Sequence, residues 1–346
     1  MYKKISALIL VIVLLFSTAA CETNNQKDFE NWNDDSFSLS VLTSYVDDVT
    51  NNKSENFIPE EDRIAVFDMD GTLCGEKAPI YFEWCMFSYR VLDDPDYKDK
   101  ASEKEIEVAN KVKTAGETGE IPKELEKEEW EMGAKAFSSM TLEEYDDYVS
   151  EYLKKDAVGF PYLKYSDMWY EPMLEVVRYL QKYDFQVYIC SGTDTMICRN
   201  MIDQVLDIKP SNILGSYVHY AIEGQEDKNQ MEYQYQANDK IVRTDDMINK
   251  NVKFTKVETI INYIGQKPVL SFGNSSGDTS MATFVTADND YQALAFMVVA
   301  DDDEREYGDK EKASITFKKW DELGMISFSM KDDFKNIYKN YSEKEE

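Results

Sequence analysis

Apolar residues recur along this chain in two rhythms, and the places where each rhythm stops carry most of the information. Short continuous apolar runs at Ile64-Ala65-Val66-Phe67, Gln186 to Cys190, Pro268 to Phe272 and Ala293 to Ala300 read as strands buried on both faces, the pattern of a mainly parallel sheet. Met325 to Met330 reads as an edge strand. Helical spacing appears at Ser36 to Val49, Met196 to Leu206 and Lys256 to Ile264. Thr141-Leu142-Glu143-Glu144 is a capping box opening a further helix, with Tyr145, Tyr148, Val149 and Tyr152 on one stripe. From about 217 to 252, tyrosines alternate with polar residues and predict a β-hairpin flap. Strands and helices in this order predict an α/β fold built on a Rossmann-like parallel sheet.

Chemistry gathers where the apolar runs end. Asp68-Met69-Asp70-Gly71-Thr72 follows Phe67 directly and sets two carboxylates at the mouth of a buried strand. The first can attack phosphorus, and the second can donate and then accept a proton. Paired aspartates before a glycine also occur in solvated turns and calcium loops, so this motif alone leaves both readings open. After Cys190, Ser191-Gly192-Thr193 offers a hydroxyl and free backbone N–H groups at a strand-to-helix turn, an anion cradle. After Phe272, the loop Gly273 to Asp278 offers oxygen ligands to a hard cation such as Mg²⁺.

Taken together, Asp68 to Thr72, Ser191, Lys256, and Asn274 with Asp278 resemble the four motifs of the haloacid dehalogenase superfamily of phosphohydrolases. Trp169 to Glu175 and Ser329 to Asp333 make the chain similar to its capped group, which includes phosphoserine and phosphorylcholine phosphatases. The resemblance implies that Asp68 is the nucleophile and Asp70 the acid and base. It further implies that Ser191, Gly192 and Lys256 bind phosphate, and that Asp68, Asp70, Asn274 and Asp278 hold Mg²⁺. The second aspartate argues for a phosphate ester over a carbon–halogen bond, because a halide leaving group needs no acid. Asn274 departs from the acidic residue common at its position and leaves the ligand set in question.

Length then adds a lobe. Between Thr72 and Gln186 the chain is too long for a plain crossover, so residues 75–169 are expected to form a mostly helical cap on a core of residues 36–74 and 170–346. The Glu/Lys-rich tract between Ala101 and Gly133 reads as exposed helix, and Asp301 to Glu304 as a surface loop. At the N-terminus, Lys3 and Lys4, an apolar run to Phe16 and Ser17 to Ala20 before Cys21 resemble a lipoprotein signal (residues 1–21). Cys21 would then be lipidated and residues 22–35 would be a tether to the membrane; an uncleaved anchor is the alternative. Both place the enzyme outside the cytoplasm. The four remaining cysteines could pair, although their positions beside the motifs favour buried thiols.

A formal net charge of −29 excludes nucleic acid and anionic membrane surfaces as partners. The single histidine, His219, removes phosphohistidine chemistry and His-rich zinc sites from consideration. The expected function is an exported, Mg²⁺-dependent phosphomonoesterase (a phosphoric monoester hydrolase) acting on a small phosphate ester. Phosphorylcholine and phosphoserine are the specific substrates considered. Glu83 and Trp84, within an aromatic cluster, could hold a quaternary ammonium by cation–π attraction, or the aromatics could simply pack the cap. A reading of another class is a binding lipoprotein that keeps the fold without catalysis.

Overall fold

The computed structural model describes residues 27–77, 79–225 and 228–339; the expected signal segment, Cys21 and the first part of the tether lie outside them. Helix α1 (Phe37–Thr50) is capped by Ser36, whose hydroxyl accepts from Leu39 N, and it lies before strand β1 (Ile64–Phe67), which is buried throughout. After β1 the chain leaves the sheet to build the cap: α2 (Phe82–Leu92), α3 (Glu103–Thr118), α4 (Leu125–Ala136), α5 (Leu142–Leu153), and a ribbon of β2 (Asp156–Ala157) and β3 (Phe160–Lys164). It returns through α6 (Glu171–Lys182), β4 (Gln186–Asp194), α7 (Thr195–Asp203), β5 (Ile213–Ile222) and β6 (Ile241–Asn249). The remaining elements are α8 (Phe254–Thr259), β7 (Leu270–Gly273), α9 (Thr279–Thr286), β8 (Leu294–Val299), α10 (Lys310–Glu322) and β9 (Ile326–Ser329).

Seven strands form one sheet in the order β6-β5-β4-β1-β7-β8-β9. All neighbours are parallel except β5 and β6. The expected Rossmann-like core with a helical cap inserted after the first motif is therefore the observed architecture. An aromatic ladder aligns the strand ends. Phe67 stacks on Phe272 at 4.1 Å between ring centroids, Phe272 on Phe296 at 5.3 Å and Phe296 on Phe328 at 4.9 Å. The pairs Phe67 with Phe272 and Phe272 with Phe296 are also register partners. A one-residue slip would turn each ring to the opposite face of the sheet, so the ladder pins β1 and β7 with their C-terminal ends level.

Two elements differ from expectation. β4 does not stop at Cys190 but runs to Asp194, where pairing with β5 resumes opposite Ser216 after a register shift. β5 itself begins at Ile213, so the flap is half sheet strand: its first part pairs with β4 and its second with β6. The Asp301 to Glu304 run is also more than a surface loop. Asp301 and Asp302 are buried; Asp301 accepts from Ser329 Oγ at 2.6 Å, and Asp302 binds the Arg305 guanidinium. Cys74, Cys85, Cys190 and Cys198 are free and buried, as their positions beside the motifs favoured.

The flap and cap are joined. Arg243 on β6 pairs with Asp194 at 2.8 Å and lies 3.8 Å over the Tyr145 ring of α5. Its backbone exchanges hydrogen bonds with the segment leading into α5: Arg243 N donates to Met140 O, and Ser139 N to Arg243 O.

The C-terminal segment is fastened by Glu306, which accepts from the Tyr338 hydroxyl. Burial pushes the Glu306 carboxyl up to about 7. A carboxyl raised on folding contributes stability that is fully present below its ordinary value near 4.5 and is lost as pH rises through the folded value. Urea unfolding of the metal-free protein is therefore expected to show stability falling between about pH 5 and pH 7.5, and Glu306→Gln should flatten that slope. An unchanged slope in the variant would remove Glu306 from this account.

Candidate active site

Asp68 and Asp70 leave the end of β1 through a turn that only glycine fits. Gly71 has φ of +72°, and a Cβ there would lie 1.9 Å from Asn274 Nδ2. This close approach brings the loop after β7 against the loop after β1. Gly273 does the same from the other side, since a Cβ on it would meet the Asp278 side chain at 2.5 Å.

Three charged groups interlock beneath the cavity floor. Lys256, on α8 and 2% exposed, donates to Asp68 Oδ1 and to Asp278 Oδ1, both at 2.6 Å. The other Asp278 oxygen accepts from the backbone N–H groups of Asn274 and Ser275 at 3.1 and 3.0 Å. Burial, and then repulsion from Asp278, pushes the Asp68 carboxyl up to about 8 against the pull of Lys256. Two carboxylates around one ammonium leave an excess negative charge at this point.

Asp70 has different company. Its Oδ2 accepts from Thr193 Oγ1 at 2.7 Å and from Ser191 Oγ at 3.5 Å, while its buried Oδ1 has no partner. Burial raises its pKa, against the weaker pull of Thr193, Lys250 and Lys256. Burial thus favours the protonated form more than in a free carboxyl, and one oxygen is left without a partner.

These residues line a cavity of about 380 Å³ between core and cap, together with Glu83, Trp84, Gly192 and Asn274's neighbours Ser275 to Asp278. Of the expected phosphate binders, Gly192 and Lys256 border the cavity, whereas Ser191 is fully buried and its hydroxyl accepts from Thr193 N at 3.1 Å. Thr193, two residues further on, borders the cavity in its place. Ser191 and Thr193 both turn toward Asp70, and the pairing of β4 with β5 shifts register between Cys190 and Asp194 across this stretch. Glu83 and Trp84 both border the cavity, with Glu83 facing Lys250 at 3.5 Å. His219 lies exposed on β5, 3.6 Å from Asp246.

The donors suit a hard cation. Among the described residues no group of three or more His, Cys, Asp or Glu side chains is placed to hold a metal. The oxygen set therefore depends on Asn274. Its Oδ1 is buried without a partner, and a hydrogen bond to Glu76 fixes the amide. Asn274 borders the neighbouring cavity with Gly71 and Glu76 rather than the one lined by Asp68 and Asp70, and an unpartnered amide oxygen on the loop that carries Asp278 is donor chemistry that suits Mg²⁺. Glu76, which itself borders the cavity, was not legible as a site residue because its partner Asn274 is distant in sequence. Burial pushes Glu76 up to about 7.

No family model matches the chain, and a search of curated proteins finds no match. Among solved structures, a functionally unknown protein from Anaerococcus prevotii aligns at a TM-score of 0.50 and 14% identity, covering 86% of this chain and 92% of that one. A cytosolic 5'-nucleotidase IIIB bound to cytidine aligns at 0.45 and 12% identity, over 82% and 83% of the two chains. A phosphoserine phosphohydrolase-like protein from Francisella tularensis aligns at 0.40 and 13% identity, over 77% and 94%. The first of these likenesses concerns the fold alone. With the strand order and strand-end residues described above, the chain has a haloacid dehalogenase-like fold, an α/β core carrying a helical cap.

Proposed function

We propose that the protein is a phosphomonoesterase that transfers the phosphoryl group of a small ester to Asp68 and then to water. The observation that carries this reading is the pair of buried carboxyls at one strand end with unlike partners: Asp68 held by an ammonium, Asp70 by a hydroxyl. Lys256 fixes Asp68 Oδ1, which leaves Oδ2 to attack phosphorus. Asp70, holding a proton, delivers it to the leaving alkoxide and then takes one from the attacking water. The backbone N–H of Gly192 and the Lys256 ammonium offer positive ends to the equatorial oxygens. Mg²⁺, held by Asp68, Asn274, Asp278 and the Asp70 carbonyl, would supply the charge that offsets repulsion between anionic nucleophile and anionic ester. The cavity volume supports a small substrate rather than a macromolecule.

Export as a Cys21-anchored lipoprotein is part of the proposal, supported by the basic, apolar and small-residue order of residues 1–21. Among the described residues no helix is long and apolar enough to cross a membrane.

Purified protein lacking residues 1–21 is expected to hydrolyse an aryl phosphate when Mg²⁺ is added and to stop when it is chelated. Asp68→Asn should lower kcat by about a thousandfold or more, since it removes the nucleophile; full activity in that variant would contradict the mechanism. Asn274→Asp adds a charged ligand and is expected to tighten Mg²⁺ binding, measured directly by titration calorimetry. An unchanged affinity would mean that residue 274 does not touch the metal.

A further inference from the structure

The cavity's outer wall carries a charge opposite to that of the chain around it. The sequence has 67 acidic against 38 basic residues. Yet beyond the catalytic groups and Glu76, the cavity is bordered by Lys123, Lys127, Lys250 and Lys253 against Glu83 and Glu126. These lysines come from three places: the N-terminal side of α4, the end of β6 and the entrance of α8. Separate elements of an acidic protein converging this way is not what its composition would deliver by chance.

Two of the lysines are held in place by specific structure. Lys250 lies 3.5 Å from Glu83 and 5.8 Å from the Trp130 ring centroid. Its second neighbour, Glu129, is buried, and burial followed by repulsion from Glu83 pushes that carboxyl up. The Lys250–Glu83 contact is a long one for an ion pair, so the ammonium is positioned at the cavity wall without being locked by a short bond. Lys253 adopts φ of +55°, a strained conformation for a side chain with a Cβ, and its N–H donates to Gly277 O at 3.0 Å. That strain sits beside Asp278 and leaves the Lys253 side chain exposed where it borders the cavity. Trp130, which borders the same cavity next to Lys250, has a buried indole N–H with no acceptor.

The geometry points to a substrate whose alcohol portion carries a second anionic group, a carboxylate or a further phosphate, bound by Lys250, Lys253 and the Trp130 N–H. The inference rests on the phosphatase reading and adds the substrate class to it. Lys250 and Lys253 are specificity-determining residues here and take no part in bond breaking. A cationic alcohol such as choline would meet these ammonium groups, with Glu83 already facing Lys250.

The test compares kcat/KM of the purified full chain with Mg²⁺ on matched esters: phosphoglycerate against glycerol phosphate, fructose bisphosphate against fructose monophosphate, and phosphorylcholine alongside. The expected result is a preference of roughly tenfold or more for the anionic member of at least one pair, the pair identifying carboxylate or phosphate as the group read. Lys253→Ala, at an exposed position where folding is not at stake, and Lys250→Met should both erode that preference through KM for the anionic member. Lys250→Arg should retain most of it. Turnover without the preference, a preference for phosphorylcholine, or variants that lower kcat equally for both members would overturn the inference and leave the phosphatase reading standing. No turnover of any ester would overturn both.

Discussion

The Lys256 ammonium, buried between Asp68 and Asp278, is the interaction on which the site depends. It joins three separate pieces of chain, the end of β1, α8 and the loop after β7, at the largely buried floor of the cavity. Burying a cation and two carboxylates is unfavourable unless each finds its partners, so removing Lys256 would leave two carboxylates facing each other without their shared cation. The backbone then follows: Asp278 takes two loop amides, Gly273 and Gly71 let the loops close on each other, and Asn274 is pressed into the position where its amide oxygen is left over. The aromatic ladder from Phe67 to Phe328 supplies the level strand ends on which this arrangement stands.

Much of this core was legible in the sequence because Asp68 and the loop carrying Asp278 follow apolar runs, and buried parallel strands announce themselves as such runs; Lys256 was placed only by the family resemblance. Asp68, Asp70, Lys256 and Asp278 meet as the motifs implied. The loss of resolution begins where hydrogen bonding outlasts the apolar pattern. Pairing with β5 resumes only at Asp194, after a register shift across Ser191-Gly192-Thr193, and within that stretch Ser191 is buried while Thr193 reaches both the cavity and Asp70. A polar strand end has no apolar signature to mark it.

Residues supplied by the cap and flap were harder still. Glu129 and Trp130 lie in a helix whose Glu/Lys-rich composition reads as solvated, yet Glu129 is 2% exposed and faces the Glu83 and Lys250 pair. Lys250 and Lys253 belong to a segment whose pattern predicts only a hairpin. Their meeting depends on Arg243, which ties the flap to α5 through Tyr145 and to β4 through Asp194. Contacts that bridge lobes over a hundred residues apart leave no local periodicity, so charge and aromatic content alone suggested a cationic ligand where the assembled cavity presents lysines.

The central claim is that Lys256 holds the site together by neutralising Asp68 and Asp278. Equilibrium unfolding of Lys256→Met against the unsubstituted protein, without metal and then with saturating Mg²⁺, tests it most directly. The account predicts a loss of about 3–5 kcal/mol without metal, as for a broken buried pair, with part of it recovered when the divalent cation is added or when Asp278→Asn is combined with the first change. Stability within about 0.5 kcal/mol of the unsubstituted protein, the range of ordinary surface changes, would contradict it.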